Sequence, residues 1–390
     1  MSVRVSSDNM ASIVVGAREI MAARMAFFVP GFAMSTWAPM IPVVKSRLAI
    51  ESDVLGLLIL CIGVSAFVMM PLAGVVARRL GCRRTIAVGC VIMAACVALL
   101  ANLNSVWQYA LVLATFGGAM GLTDVMMNTN AVMVERAAGR RLMSGMHAFW
   151  SIGCFLGAGC FALLASAGMS VWGIALLHSA VIVGIVGYYA KCWLDYRGSG
   201  GGHSLAIPRG IVIVLGILSG MIFLAEGAVM DWSGVLLMEV KAVDVSLAGI
   251  GYAIFSVAML VMRLLGDKTV QILGEKTAVM GGALLAVLGF VLLVWADDLY
   301  LSGVGFVLLG VGCSNIVPVF YSLLKYQKDM PIGEAVAALT SLGYTGVILG
   351  PAFLGFIAQA IDITAVFKLL ILLLLLEVVV AGYLFKKLNR

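Results

Sequence analysis

Apolar residues fill this chain in long unbroken runs, each long enough to cross the hydrocarbon of a bilayer as a helix of about 20 residues. Twelve such runs lie near 21–44, 53–77, 85–103, 106–134, 142–166, 170–193, 210–238, 246–265, 277–296, 299–324, 333–360 and 363–385. Continuous apolar runs, rather than alternation over roughly ten residues, indicate helices and not a strand barrel. Several runs exceed the minimum, which permits tilt. Only ANLNS (101–105) parts the third run from the fourth. The pattern predicts an all-α membrane protein with twelve transmembrane helices.

Composition makes lipid a requirement. The chain has 390 residues, 63% hydrophobic and 11% charged, with a mean hydropathy of +1.12. Soluble domains carry roughly a quarter charged residues, and a single water-soluble core stops growing near about 250–300 residues. The first run is too long for the ~7–15-residue core of a signal peptide and lacks a cleavage site, so it is expected to be a retained span. Eight cysteines (61, 82, 90, 96, 154, 160, 192 and 313) show neither CxxC nor metal-ligand spacing. They are expected to be reduced thiols packed as small hydrophobes, with no metal or cofactor implied.

Charge orients the spans. If the N-terminus is inside, 21 of the 25 Lys and Arg fall in inner segments, among them Arg78, Arg79, Arg83, Arg84, Arg263, Lys268 and Lys276. Outer loops carry Lys45, Arg47 and Lys241, and Lys368 lies within the last run. Positive charge stays inside, so both termini are expected in the cytoplasm. The net charge of +6 is then a topology determinant beside anionic lipid and needs no nucleic-acid partner.

The two halves resemble each other at an offset near 192. GVVARRLGCRRTIAVG, with Gly74, Gly81, Thr85 and Gly89, matches GDKTVQILGEKTAVMG, with Gly266, Gly274, Thr277 and Gly281. Trp37 parallels Trp232, GLTD (121–124) parallels GCSN (312–315), and GCFLG (153–157) parallels GVILG (346–350). The GLTD match sets Asp124 opposite Asn315. Between the halves lies the Gly-rich DYRGSGGGHSLAIPR. The expected domains are a six-helix bundle at 1–194, a cytoplasmic linker at 195–209 and a second, pseudo-symmetric six-helix bundle at 210–390.

GVVARRLGCRR between spans two and three resembles the loop motif of major facilitator superfamily (MFS) transporters: a Gly, then an acid, a basic residue, a Gly and a basic pair. Gly74, Gly81, Arg83 and Arg84 fit it, but Arg78 stands at the acidic position. The second copy has Gln271 there, with Asp267 nearby. In the superfamily that acid helps latch the bundles, so the resemblance implies a latch that is altered or built from other residues. WAPMIP (37–42), MHAFWSIGCFLGAG (146–159), AEGAVMDW (225–232) and GYTGVILGP (343–351) look like the branch that includes the bacterial rhizopine-transport protein. The resemblance implies the two-bundle MFS fold, alternating access, and a cavity lined by spans one, four, seven and ten.

Ionisable groups inside membrane spans suggest function. Asp124 and Asn128 are four residues apart and share a face of span four, with Gly117 and Gly121 on nearly the same stripe. That face is either a cavity wall carrying a titratable acid or a close helix contact with a buried hydrogen bond. In span seven, LAEGAVMDWSG (224–234) places Glu226 and Asp231 about 140° apart around a straight helix. Gly227, Ser233 and Gly234 permit local unwinding, and Asp231 with Trp232 alternatively marks the wet outer interface. A carboxyl in low dielectric is cheapest when neutral, so protonation of Asp124 or Glu226 is expected to couple solute movement to proton flow. His147 is a further candidate for the proton, the alternative being a structural, hydrogen-bonded His.

Trp37, Asn128, Trp232, Asn315, Tyr321 and Tyr344 are the candidate cargo contacts. The loop residues Gly74, Arg78, Gly81, Arg83, Arg84, Gly266, Asp267 and Gly274 are the candidate conformational gate. Acids without mid-span Lys or Arg in the cavity helices favour a sugar, polyol or organic cation over an anion. No GxxxxGK[ST], HExxH or Ser/His/Asp arrangement is present, which points away from an enzyme or an ATP-driven pump. The reading is a proton-coupled secondary transporter, a monomer in the bacterial inner membrane, whose partners are a small-molecule substrate, protons and lipid. The alternatives are proton-coupled efflux, a facilitative uniporter or a membrane solute sensor. Efflux gains from the 23 Met. It loses from GCFLGAG in span five, which lacks the proline of the antiporter motif GxxxGP, a pattern that span eleven carries instead as GVILGP.

Overall fold

The computed structural model describes residues 4–5, 15–197, 207–244 and 249–388. Positions 198–206 of the expected linker, 246–248 of the eighth apolar run, and Arg390 lie outside the described residues. The first run forms α1 (Ala17–Trp37) and passes through one 3-10 turn (Ala38–Met40) into α2 (Ile41–Leu48). The second run is bent by 65° between α3 (Ser52–Met69) and α4 (Ala73–Leu80). Then come α5 (Cys82–Leu100), α6 (Val106–Ala138), α7 (Met143–Ser166) and α8 (Val171–Tyr189). The second half holds α9 (Ile211–Glu239), α10 (Ile250–Leu273) and α11 (Glu275–Trp295). After these come α12 (Leu299–Cys313), α13 (Ile316–Leu323), α14 (Ile332–Ala360) and α15 (Ile363–Leu388). Among the described residues, eleven stretches are long and apolar enough to cross a membrane, and the bent α3–α4 pair makes twelve.

The helices gather into two compact units. One comprises Met1–Leu142, Phe149–Pro208 and Lys328–Ala338; the other comprises Met143–Ala148, Arg209–Gln327 and Leu339–Arg390. In the first unit, α6 packs against α3 and α5, and it is buried almost without break from Phe116 to Glu135. In the second, α12 packs against α10 and α11, and every residue of α13 is buried.

Glycines set these contacts, and they do so twice at the same spacing. A Cβ on Gly117 would run into the Ile62 carbonyl, and one on Gly310 into the Phe255 carbonyl. Gly89 meets the carbonyl of Ala119 just as Gly282 meets that of Gly312. Each unit also turns at a glycine in the left-handed region, Gly81 at φ 83° and Gly274 at φ 81°, where a side chain would be strained. The packing register corrects the sequence alignment locally. Gly89 is answered by Gly282 rather than Gly281, and the same spacing puts Asn315 opposite Leu122 rather than Asp124. Phrase matching slipped because glycine identity alone cannot say which of two neighbouring glycines makes the contact.

Candidate functional site

In the second unit the polar side chains converge on Arg263. Arg263 and Asp267 are one turn apart on α10 and so share a face. Arg263 is buried, and its Nη2 lies 3.6 Å from Oε1 of Glu226 on α9. Its Nε donates to the Ser314 carbonyl at 3.3 Å. The chain explains why that carbonyl is free. The residue four positions on is Pro318, which has no N–H to offer, and α12 and α13 part at Ser314–Asn315.

Asp267 accepts from the backbone amides of Ser144 at 2.9 Å and Gly145 at 3.1 Å. These are first-turn amides of α7, orphan donors at the positive end of a helix, where a carboxylate is favoured. The bond draws the segment 143–148 into this unit and brings His147 within electrostatic reach of Arg263. The His147 ring stands 5.8 Å from that of Tyr321, whose hydroxyl is bonded to Thr340 at 2.8 Å. Asn315 donates to Ser314 Oγ at 3.1 Å, and its buried Oδ1 has no hydrogen-bond partner among the described residues. Gly266 leaves the room for this meeting, since a Cβ there would strike Asn315 Oδ1 and Ser144.

Glu226, His147, Asn315 and Tyr321 are thus brought together, and the residue that gathers them is one that charge counting had assigned to the inner end of span eight. Its signal in the sequence was an Arg inside an apolar run, four residues before an Asp. Glu226 remains partly open, its side chain 20% exposed against 9% for Arg263. Asp231 lies elsewhere: α9 is helical without interruption through Gly227, Ser233 and Gly234, so no unwinding brings the two acids together, and Asp231 is exposed. Trp232 packs beneath Gly355, and Tyr344 stands edge-on to Phe223 at 5.8 Å.

The first unit holds Asp124 and Asn128, both buried on α6. The Asn128 side-chain amide donates to the Asp124 backbone carbonyl at 2.9 Å, and its Oδ1 has no hydrogen-bond partner among the described residues. Gly117 and Gly121 of the same stripe press on Ile62 and Ala66 of α3, so these glycines serve close packing. Trp37 is buried, with its ring 6.5 Å from Tyr109. In the loop motif, Gly74 lies against the Glu334 side chain. Arg78 Nη1 pairs at 3.0 Å with Glu334, in the first turn of α14. Arg83 Nε donates to the Trp193 carbonyl at 2.8 Å, while Arg84 and Gly274 are exposed. Where the motif has an acid this chain has Arg78, and its opposite charge sits on α14. Glu334 was not singled out by the sequence, because no motif joins positions 256 residues apart.

A family model described as Major Facilitator Superfamily matches residues 25–327 and 215–390. The chain belongs to the major facilitator superfamily. An uncharacterised MFS-type transporter of Yersinia pestis is 38% identical over 363 residues, covering 92% of this chain and 94% of that protein. Membrane protein MosC of Rhizobium meliloti is 27% identical over 353 residues, covering 88% and 84%. Among solved structures, the E. coli fucose:proton symporter FucP has a TM-score of 0.76 at 14% identity, covering 93% of this chain and 98% of that one. The human organic anion transporter MFSD10 has a TM-score of 0.73 at 17% identity, covering 93% and 99%. One fold therefore carries a sugar in one neighbour and organic anions in the other, so the fold identifies an MFS transporter and leaves its cargo to the side chains.

Proposed function

We propose that this MFS transporter moves a small polar organic solute by alternating access, coupled to protons. The observation that carries the reading is the Arg263–Glu226 pair, a buried cation facing a partly open carboxylate inside transmembrane helices. Ion pairs in such surroundings are costly, and this one is made at long range, with no hydrogen bond to Glu226 Oε1 among the described residues. A proton on Glu226 cancels its attraction for Arg263, so protonation and rearrangement of α9 against α10 are linked. Asp124 is the corresponding candidate in the first unit, and His147 and Asp231 are the remaining proton candidates. The neutral pair offers both donors and acceptors with no net charge, which suits a hydroxyl-rich, neutral solute. Asn128, Asn315, Trp232, Tyr321 and Tyr344 are its proposed contacts, with Trp37, buried in the core of its own unit, as a further candidate. Arg78–Glu334 and the Asp267 bond to α7 form the conformational gate, with Gly81 and Gly274 at turns between helices and Gly74, Arg83, Arg84 and Gly266 on the helices beside them.

Arg263 itself favours a second reading. Once Glu226 is neutralised, the guanidinium keeps its charge and presents a cation to an anionic solute. The working unit is taken as a monomer of the bacterial inner membrane with a six-plus-six division near 195–209. The test is flux in proteoliposomes under an imposed pH gradient, with panels of polyols, sugars, quaternary amines and carboxylates. Proton-driven uptake of a neutral or cationic solute, lost in Glu226→Gln, is the expected result, and carboxylate uptake would instead select the second reading. Flux that survives both Glu226→Gln and Asp124→Asn makes the protein a uniporter. Solute export driven by inward protons makes it an efflux pump, and binding without flux makes it a sensor.

A further inference from the structure

Span twelve carries an acid that the coupling scheme above does not use. Phe367, Leu370, Leu374, Glu377, Ala381 and Leu384 recur every three or four residues and belong to the buried stripe of α15. Glu377 is 0% exposed, and among the described residues neither of its carboxyl oxygens has a hydrogen-bond partner. An acid has taken a core position flanked by Leu374 and Ala381 and makes no bond there.

The charges around it are accounted for. The helix α15 packs against α11 and α9. On α11, Glu275 is engaged by Lys325 at 2.7 Å, Lys276 is exposed, and no charge follows as far as Trp295. On α9, Glu226 faces Arg263, while Asp231 and Glu239 are exposed. On α15 itself, Lys368 and Lys386 are exposed and each nine residues away, about 13.5 Å along the helix, and Lys387 is exposed one residue further. The thiol of Cys313, buried at the end of α12, lies within electrostatic reach of Glu377, of Glu226 and of Arg263.

An unpaired carboxylate in such a core is stable only with its proton on. The neutral form also leaves its O–H without an acceptor, so Glu377 adds no hydrogen bond to the fold. A leucine would fill the site at lower cost. What the acid offers that a leucine lacks is a place for a proton. We propose that Glu377 is a second proton-binding site of the second unit, whose occupancy is linked to that of Glu226 through the region around Cys313. The inference goes beyond the transport reading, because proton binding at Glu377 stands or falls whatever the cargo and whether or not Glu226 drives flux.

Infrared difference spectra of the full chain in phosphatidylethanolamine/phosphatidylglycerol vesicles, titrated in H₂O and D₂O, test it without a substrate. The wild type is expected to show a protonated-carboxyl stretch that shifts in D₂O and disappears as pH rises. Glu377→Gln is expected to delete that band, and Glu226→Gln to keep it with a displaced midpoint. Glu377→Asp retains an acid and guards against misfolding of the Gln variant, and its band is expected at a changed frequency. Spectra of Glu377→Gln that superimpose on the wild type overturn the proposal. So does an unchanged frequency in Glu377→Asp, or a band that neither exchanges nor titrates. An unmoved midpoint in Glu226→Gln overturns the link between the two sites.

Discussion

Arg263 shows what a single buried side chain can organise and how hard it is to read in advance. The acids were legible: Asp124, Glu226 and Asp231 stood out as carboxyls in apolar runs, because desolvation makes such residues rare. Arg263 hid among the inner-end cations, since a charge near a span end satisfies the same positive-inside rule whether it snorkels or turns inward. Glu377 was passed over because the last span is not among the helices expected to line a cavity. The pairing of Arg263 with Glu226 gives a direct prediction. Glu226→Gln removes the Glu226 carboxylate from beside the buried guanidinium, which costs about 3 kcal/mol, the lower end for a broken buried pair, since Glu226 is partly open. Thermal unfolding in detergent is expected to fall in Glu226→Gln and to recover in Glu226→Gln/Arg263→Met, while pH-driven flux stays lost in both.

Helix positions and lengths were the most legible feature, because spans near 20 apolar residues write themselves in composition. Their interruptions were not. The bend between α3 and α4 falls at Pro71 and the gap between α12 and α13 just before Pro318, where a proline withholds a backbone N–H and leaves the apolar run unbroken, yet Pro30 and Pro351 lie inside helices that continue through them. Glycine contacts divide the same way. At Gly121 a Cβ would strike the Ala66 backbone, whereas at Gly227 no atom lies within 4 Å. Gly121→Val is therefore expected to destabilise the first unit by roughly 1–3 kcal/mol through overpacking. Gly227→Ala is expected to be neutral or to gain up to about 1 kcal/mol of helix stability. Melting curves of the two variants check both signs.

At the start of α15, Asp362 accepts from Thr364 Oγ1 and the Ala365 amide, each at 2.6 Å. The Thr364 hydrogen bond first, then that of Ala365, hold its carboxyl below the ordinary carboxylate range. Its folded value is the lower one, so its contribution is present above the unfolded value and lost as pH falls through the folded one. The melting deficit of Asp362→Ala is expected at neutral pH and should vanish in acid. For the α4–α14 pair, Arg78→Glu and Glu334→Arg are each expected to lower the transport rate. The double reversal should restore much of it, and initial rates in vesicles are the readout.

The whole chain was legible as an MFS transporter, because hydropathy, charge bias and repeat act together over hundreds of residues. Its cargo was not, because substrate choice rests on a few side chains whose meeting depends on packing. The charge bias, with 21 of the 25 Lys and Arg falling in segments on one side of the expected spans, leads to a topology prediction. A fluorescent protein fused after Arg390 is expected to mature, and alkaline phosphatase inserted beside Lys241 is expected to be active; the reverse pattern overturns the orientation.

Pro318 sets the two halves apart. The glycine contacts recur at one spacing, and that spacing sets Val125 where the second half has Pro318 and Gly121 where it has Ser314. Val125 has an N–H, and α6 runs unbroken through it, so the first half frees no carbonyl there for a guanidinium to take. One half keeps a regular helix at this level, and the other gives up a backbone bond whose carbonyl Arg263 takes instead. A chimaera of two first halves should therefore keep the helix plan and lack that guanidinium contact.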